Sequence, residues 1–160
     1  MDQKKILVFG IGNPGRGDDG LGPRFVERLR GRASSDAECH DAAPANACDL
    51  ELRYQLNVED AYAIKDHDLV VFADATTAGE EPATMDEVFP SDTIAFSTHR
   101  MSPAAVLALC HELFGRAPRA FTLAIRGYDW DVGESLSERA ESNLTVAMER
   151  FHDLMESLRL

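Results

Sequence analysis

Four side chains in this sequence have the types and spacing to do chemistry together. They are Asp18 and Asp19 in Gly17-Asp-Asp-Gly20, Asp74 closing Leu69-Val-Val-Phe-Ala73, and His99 in Ser97-Thr-His-Arg-Met-Ser-Pro103. Carboxylate oxygens and one imidazole nitrogen form an O,O,N donor set that can hold a divalent metal while leaving coordination positions open. A carboxylate so placed can also act as general base on water. Each residue has an ordinary structural alternative. Asp18 or Asp19 can cap the helix that follows, but both can hardly cap at once, so one is left over. Asp74 can solvate a strand end, and His99 can be a plain loop histidine. His40, His67, His111 and His152 stand in a polar loop, at a helix end or in surface-rich helical stretches, and no function is assigned to them.

The elements around these residues follow from hydrophobic spacing. Ile6–Phe9 and Leu69–Ala73 are all-apolar runs, the mark of strands buried on both faces, and Ala120–Ile125 is another apolar strand. Leu50–Leu56 alternates with period two and reads as a strand, and Ala83–Phe89 reads as a less regular edge strand. Between them, Leu21, Phe25, Val26 and Leu29 recur at helical spacing to about Arg32, with Pro23 tolerated in the first turn. A short helix spans about Val58 to Lys65. Ser102 is a natural N-cap with Pro103 behind it, opening a helix that uses Val106, Leu107, Leu109, Cys110, Leu113 and Phe114. A last helix begins near Ser137 and sets Leu144, Met148, Phe151, Met155 and Leu158 along one face. Residues 33–47 are small and polar and read as a surface loop or insertion. Alternating strands and helices predict an α/β fold: one three-layer α/β/α sandwich with a mainly parallel five-stranded sheet, forming a single domain over 1–160. In such sheets ligands bind beyond the carboxyl ends of the strands, which is where Asp18, Asp19, Asp74 and His99 are expected to meet.

Gly10-Ile-Gly-Asn-Pro-Gly15 spells GxGxxG between a strand and a helix, the dinucleotide fingerprint. Its neighbours argue against that use. Pro14 lacks an N–H, and Asp18 and Asp19 put negative charge where a phosphate needs the positive end of a helix. The acid that would hold a ribose falls in the irregular Ser34–Asp41 stretch, where no strand supports Asp36 or Glu38. The same six residues resemble the opening of peptidyl-tRNA hydrolases, but the Arg-His-Asn segment with that family's catalytic histidine is missing. A net charge of −12, with Lys and Arg scattered, opposes nucleic acid and anionic membrane alike. No stretch approaches the roughly 20 apolar residues of a membrane span, and none reads as a secretory leader. Three cysteines, Cys39, Cys48 and Cys110, without CxxC spacing fit a reducing compartment, and the chain is expected to be cytoplasmic.

Taken together, Gly10-Ile-Gly-Asn13 with Gly17-Asp-Asp-Gly-Leu-Gly22 resembles the opening motif of hydrogenase maturation endopeptidases, which trim the C-terminal tail from the large-subunit precursor of nickel–iron hydrogenases. Leu69–Ala75 is similar to that family's apolar strand ending in Asp-Ala, and Ser97-Thr-His99 to its histidine segment. Gly127 with Gly133–Ser137 resembles its closing loop into the last helix. The likeness spans almost the whole chain; Ala33–Ala47 and Glu51–Ala61 depart from it. It implies a peptidase, aspartic-type or assisted by the substrate's metal, in which Asp18, Asp19 and Asp74 are the catalytic carboxylates. Asp19, Asp74 and His99 would contact metal, with Asp19 where some members carry Glu. It further implies no permanent cofactor, recognition of nickel already inserted in the precursor, and action as a monomer. Whether Asp18 or Asp19 activates water, or the metal polarises the carbonyl, stays open. A nickel-recognising docking module that does not cut is the alternative from a different class.

Overall fold

The computed structural model describes residues 4–35, 48–92 and 100–158. In chain order it contains β1 (Ile6–Ile11), a one-turn 3-10 helix (Gly17–Gly20), α1 (Leu21–Ser35), β2 (Cys48–Arg53), α2 (Asp60–Ile64) and β3 (Leu69–Thr76). These are followed by β4 (Ala83–Val88), α3 (Pro103–Phe114), β5 (Arg119–Arg126) and α4 (Glu138–Ser157). The five strands form one sheet in the order β2-β1-β3-β5-β4. All neighbours run parallel except the edge strand β4, which is antiparallel to β5.

The pleat divides the apolar side chains of the strands into two clusters. Ile6 and Val8 of β1 and Leu69 and Val71 of β3 pack with Leu21, Phe25 and Leu29 of α1 and with Leu144, Met148 and Phe151 of α4. Leu7 and Phe9 of β1 and Val70 and Phe72 of β3 pack instead with Ala61 and Ile64 of α2 and with Val106, Leu107 and Cys110 of α3. Both sets are almost fully removed from water, which is why the central strands read as unbroken apolar runs. Burying each large aliphatic or aromatic side chain contributes about 1.5–3 kcal/mol.

Several boundaries differ from the sequence reading. β3 does not stop before Asp74 but continues through it to Thr76, because β1 and β5 pair with it on both sides: Ile11 and Ala124 are the register partners of Asp74. β2 is an edge strand that starts at Cys48 and ends at Arg53, and its Leu52 is 41% exposed, so the period-two pattern overstates its extent and burial. α2 is shorter than expected, and α1 runs on to Ser35. In α3 the expected apolar face ends at Cys110: Leu113 and Phe114 are exposed, and Phe114 meets Tyr62 of α2 edge-on. The caps of α3 and α4 are as read, with Ser102 Oγ accepting from Ala105 N and Ser137 Oγ from Ala140 N, each at 3.2 Å. Residues 36–47 and 93–99, the latter including His99, lie outside the described residues.

Candidate active site

Strand order turns around β1: β2 lies on one side of it and β3 on the other. In doubly wound sheets the crevice forms at such a switch, off the carboxyl ends of the strands. Asp74 reaches that end from β3, and the turn leaving β1 delivers Asp18 and Asp19.

The glycine-rich turn is built by its own backbone. Gly12 has φ +134°, and a Cβ there would lie 2.0 Å from the carbonyl oxygen of Asp19. At Gly10 a Cβ would lie 2.5 Å from the carbonyl oxygen of Gly22, so these glycines let α1 close onto β1. The N–H groups of the turn are all engaged internally. Gly12 donates to Arg53 O, Asn13 to Asp19 Oδ2, Gly15 to Asn13 Oδ1, Arg16 to Asn13 O, and Gly17 to Gly133 O. Pro14 has no N–H to give. A Rossmann turn must aim free N–H groups at a pyrophosphate, and here they are occupied by protein acceptors, in line with the argument from Asp18 and Asp19.

The two aspartates play different parts, and neither caps α1 as an isolated N-cap residue. Both lie in the 3-10 turn that runs directly into the helix. Asp18 is fully buried. Its Oδ2 accepts from Tyr128 N at 2.7 Å, Asp129 N at 3.0 Å and Ser137 Oγ at 2.7 Å, and its Oδ1 accepts from Ser137 N at 2.8 Å. Four donors fill the acceptor capacity of a carboxylate, which leaves Asp18 little to offer a water molecule. Burial pushes its pKa up, but the N–H groups of Asp129, Ser137 and Tyr128 and the Ser137 hydroxyl outweigh that and hold it below its ordinary value. Its own N–H donates to Asp129 O at 2.7 Å, and Gly17 and Gly133 bridge the same two segments. Asp18 therefore clamps the loop between β5 and α4 onto the turn after β1.

Asp19 accepts from Asn13 N at 2.8 Å through Oδ2. Asp74 is half-buried, and Ala75 N donates to its Oδ1 at 2.8 Å. Burial raises its pKa to about 6, against the opposing pull of the Ala75 N–H and of Arg100; the negative charge of Asp19 adds to the rise. Asp19 packs against Gly12, the residue after Ile11, which is the register partner of Asp74, and this sets its charge near Asp74. A carboxyl near pH 6 exchanges protons readily at neutral pH, the property wanted of a general acid or base. Beside Asp74 opens a mainly apolar cavity, with Arg100 and Met101 entering from the chain just before α3.

Thus Asp19 and Asp74 come together, Asp18 is engaged elsewhere, and His99 is outside the described residues. Among the described residues no group of three His, Cys, Asp or Glu side chains is gathered so as to hold a metal. Sequence reasoning missed Asn13, whose side chain shapes the turn and whose N–H orients Asp19; the Asn-Pro-Gly triplet is the turn signal that could have found it. It also missed the second role of Ser137, which caps α4 and donates to Asp18. Arg53, paired with the buried Asp60 at 2.9 Å and with Glu51, supports the turn through its carbonyl and gave no sequence signal beyond its charge.

No helix among the described residues is long and apolar enough to cross a membrane. No protein-family model matches the chain, and no curated protein matches it either. Solved structures do. The hydrogenase maturating endopeptidase HybD from Escherichia coli matches with a TM-score of 0.67 at 20% identity, over 96% of this chain and 93% of that one. A hydrogenase 2 maturation peptidase from a Thaumarchaeota archaeon matches with a TM-score of 0.62 at 18% identity, over 97% of this chain and 98% of its own. The nickel–iron hydrogenase maturation protease HycI from Thermococcus kodakarensis matches with a TM-score of 0.61 at 24% identity, over 96% and 93%. Over nearly its whole length, then, the chain has the fold of these maturation proteases.

Proposed function

We propose that the protein is an endopeptidase that removes the C-terminal extension of a nickel–iron hydrogenase large-subunit precursor after nickel insertion. The observation that carries this reading is the meeting of Asp19 and Asp74 at the β1/β3 switch point, in a fold shared end to end with maturation proteases. Asp19, Asp74 and His99 are the residues we assign to the nickel held by the precursor. Oxygen and imidazole donors suit a divalent ion whose remaining ligands come from the substrate. The protein needs no resident cofactor on this account.

Cleavage adds water across a peptide bond: the oxygen joins the carbonyl carbon, and a proton must reach the departing nitrogen. During cleavage Asp19 and His99 are suited to keep the metal-bearing end of the precursor in place, which frees Asp74, pushed up to about 6 by burial, to take the proton from water and return it to the departing nitrogen. Its four hydrogen bonds favour Asp18 as a positioning residue, in place of the catalytic role its motif suggests. An aspartic-type reaction assisted by substrate metal is the form this takes. We read the chain as a single domain over 1–160 that acts as a cytoplasmic monomer without nucleic acid or membrane partners. We read its architecture as a three-layer sandwich, supported by the two apolar clusters on either side of the sheet. The test is intact mass of a large-subunit precursor after incubation with the protein. A shortened subunit with an equimolar C-terminal peptide is expected; tight binding without shortening would replace the endopeptidase by a docking module.

A further inference from the structure

Exposed apolar side chains collect on the side of the molecule that carries α2 and the end of α3. Tyr62 on α2 is 66% exposed, and Leu113 and Phe114 at the end of α3 are 60% and 40% exposed. The rings of Tyr62 and Phe114 meet edge to face with centroids 6.0 Å apart, so the two helices present one surface. Val58, exposed one turn before Tyr62, extends it toward Leu56, which lines the cavity beside Asp74. Tyr54 is exposed next to Arg53, whose carbonyl holds Gly12 N of the glycine-rich turn. The patch therefore begins at the rim of the candidate site and runs away from it along α2. The exposed parts of these five side chains come to on the order of 500 Å², a size at which apolar patches on monomers are often functional.

Charges around the patch select what covers it. Lys65 holds its ammonium 4.7 Å from the Tyr62 ring centre and 5.8 Å from that of Phe114, but Asp66 pairs with it at 2.7 Å. Arg116 has Asp68 at 3.9 Å. With these two cations matched, Glu59 beside Val58 and Glu112 beside Leu113 are exposed negative charges, and neither is paired with a cation among the described residues. A second copy of this chain, of net charge −12, would bring the same acidic rim against it. The patch also falls short of the roughly 800 Å² that each partner buries in a stable complex. An apolar surface flanked by Lys or Arg matches both the rings and the charges. A partner already held in the crevice by its tail needs no larger area, because its second contact is intramolecular.

We infer that the folded body of the large-subunit precursor docks on this face, through an apolar patch flanked by Lys or Arg, while its C-terminal tail lies in the crevice; the inference rests on the endopeptidase reading above. Tyr54 and Val58 stand in Glu51–Ala61, where the chain departs from the maturation-endopeptidase pattern, so the surface suits a precursor of its own.

The experiment measures kcat and KM of the full-length protein on a nickel-loaded large-subunit precursor, with cleavage read by intact mass. One variant carries Tyr62→Ser with Leu113→Ser, and a second carries Glu59→Lys with Glu112→Lys. All four positions are exposed, so both variants are expected to fold. Docking energy shared by the bound substrate and the transition state appears in KM and leaves kcat alone. KM should rise about tenfold or more in the serine variant, the effect of removing an anchor residue from an interface, with kcat within about twofold of wild type. In the lysine variant KM should rise several-fold, and added salt, which lowers kcat/KM of wild type, should lower it less. KM unchanged in either variant, or an effect confined to kcat, would overturn the docking assignment alone. So would a wild-type protein that sediments as a dimer beside a serine variant that sediments as a monomer, because the occupant would then be a second copy. A wild-type protein that cuts no nickel-loaded precursor would overturn the endopeptidase reading, and the docking assignment with it.

Discussion

Replacing Asp74 by Asn should make the protein more stable at neutral pH while removing its activity. The displacement of this carboxyl from 3.8 to about 6 arises first from burial, which penalises the charged form. At 1.36 kcal/mol per tenfold change in acidity, it corresponds to about 3 kcal/mol of folding free energy lost when Asp74 is ionised in both states. The sign follows from the raised pKa. The folded protein holds this proton more tightly than the unfolded chain does. The contribution of Asp74 to stability is therefore fully present below 3.8 and is lost as pH rises through about 6. An asparagine stays neutral, is nearly the same shape, and can still accept from Ala75 N through its amide oxygen. Urea unfolding should show Asp74→Asn more stable than wild type by up to about 3 kcal/mol at pH 7.5, shrinking to about 1 kcal/mol at pH 4.5. For a chain of this size, 3 kcal/mol is about 6–12 °C in Tm. A variant less stable than wild type at pH 7.5, or an equal gain at both pH values, would refute the claim that a buried charge at Asp74 is held against its solvation preference.

The same substitution at Asp18 should have the opposite sign. Asp18→Asn puts an amide N–H₂ among three backbone N–H groups and a hydroxyl, and a loss of about 3–5 kcal/mol is expected in urea titration; a loss below about 1 kcal/mol would show that the clamp is not formed. Because its pKa is lowered on folding, the stability that Asp18 contributes is present above 3.8 and lost as pH falls through its folded value, so acid unfolding of wild type should show a component below pH 3.8 that Asp18→Asn lacks. Gly12→Ala should destabilise by several kcal/mol, since its Cβ would lie 2.0 Å from a carbonyl oxygen at a positive φ; a soluble variant with unchanged Tm would contradict the geometry of the turn. NAD and ATP should leave Tm unchanged at millimolar concentration, because the N–H groups of the GxGxxG turn are bonded to the protein; a shift of several degrees would restore the nucleotide reading. His99→Ala should fold with wild-type stability yet leave a precursor uncut, and unimpaired cleavage would remove His99 from the site.

Much of the architecture was legible because β1 and β3 are buried on both faces and therefore appear as apolar runs that no surface element would carry, while β5 buries one face fully and the other in part. The caps at Ser102 and Ser137 were legible because the bonds that make them span only three residues. Asp74 was placed correctly at the carboxyl end of β3, but its position inside the strand was hidden, since continuation through an acidic residue depends on pairing with Ile11 and Ala124 far away in sequence. Asp18 shows the limit most clearly. Two adjacent aspartates look interchangeable in the sequence; what separates them is that the partners of Asp18 lie 110, 111 and 119 residues on. The GxGxxG turn misleads for a related reason. Glycines are required there for close approach of α1 to β1, and that local demand is the same whether the N–H groups beyond it face a phosphate or a carboxylate.

The central claim is that a nickel-bearing precursor brings its scissile bond to the carboxylates at the β1/β3 switch. Its most direct test is to incubate the purified protein with the same large-subunit precursor in nickel-loaded and nickel-free forms and to read both by intact mass. Loss of a C-terminal peptide from the nickel-loaded form alone is the predicted result. Equal trimming of both forms would contradict the role given to Asp19, Asp74 and His99 toward the substrate's metal, and trimming of neither would contradict the endopeptidase itself.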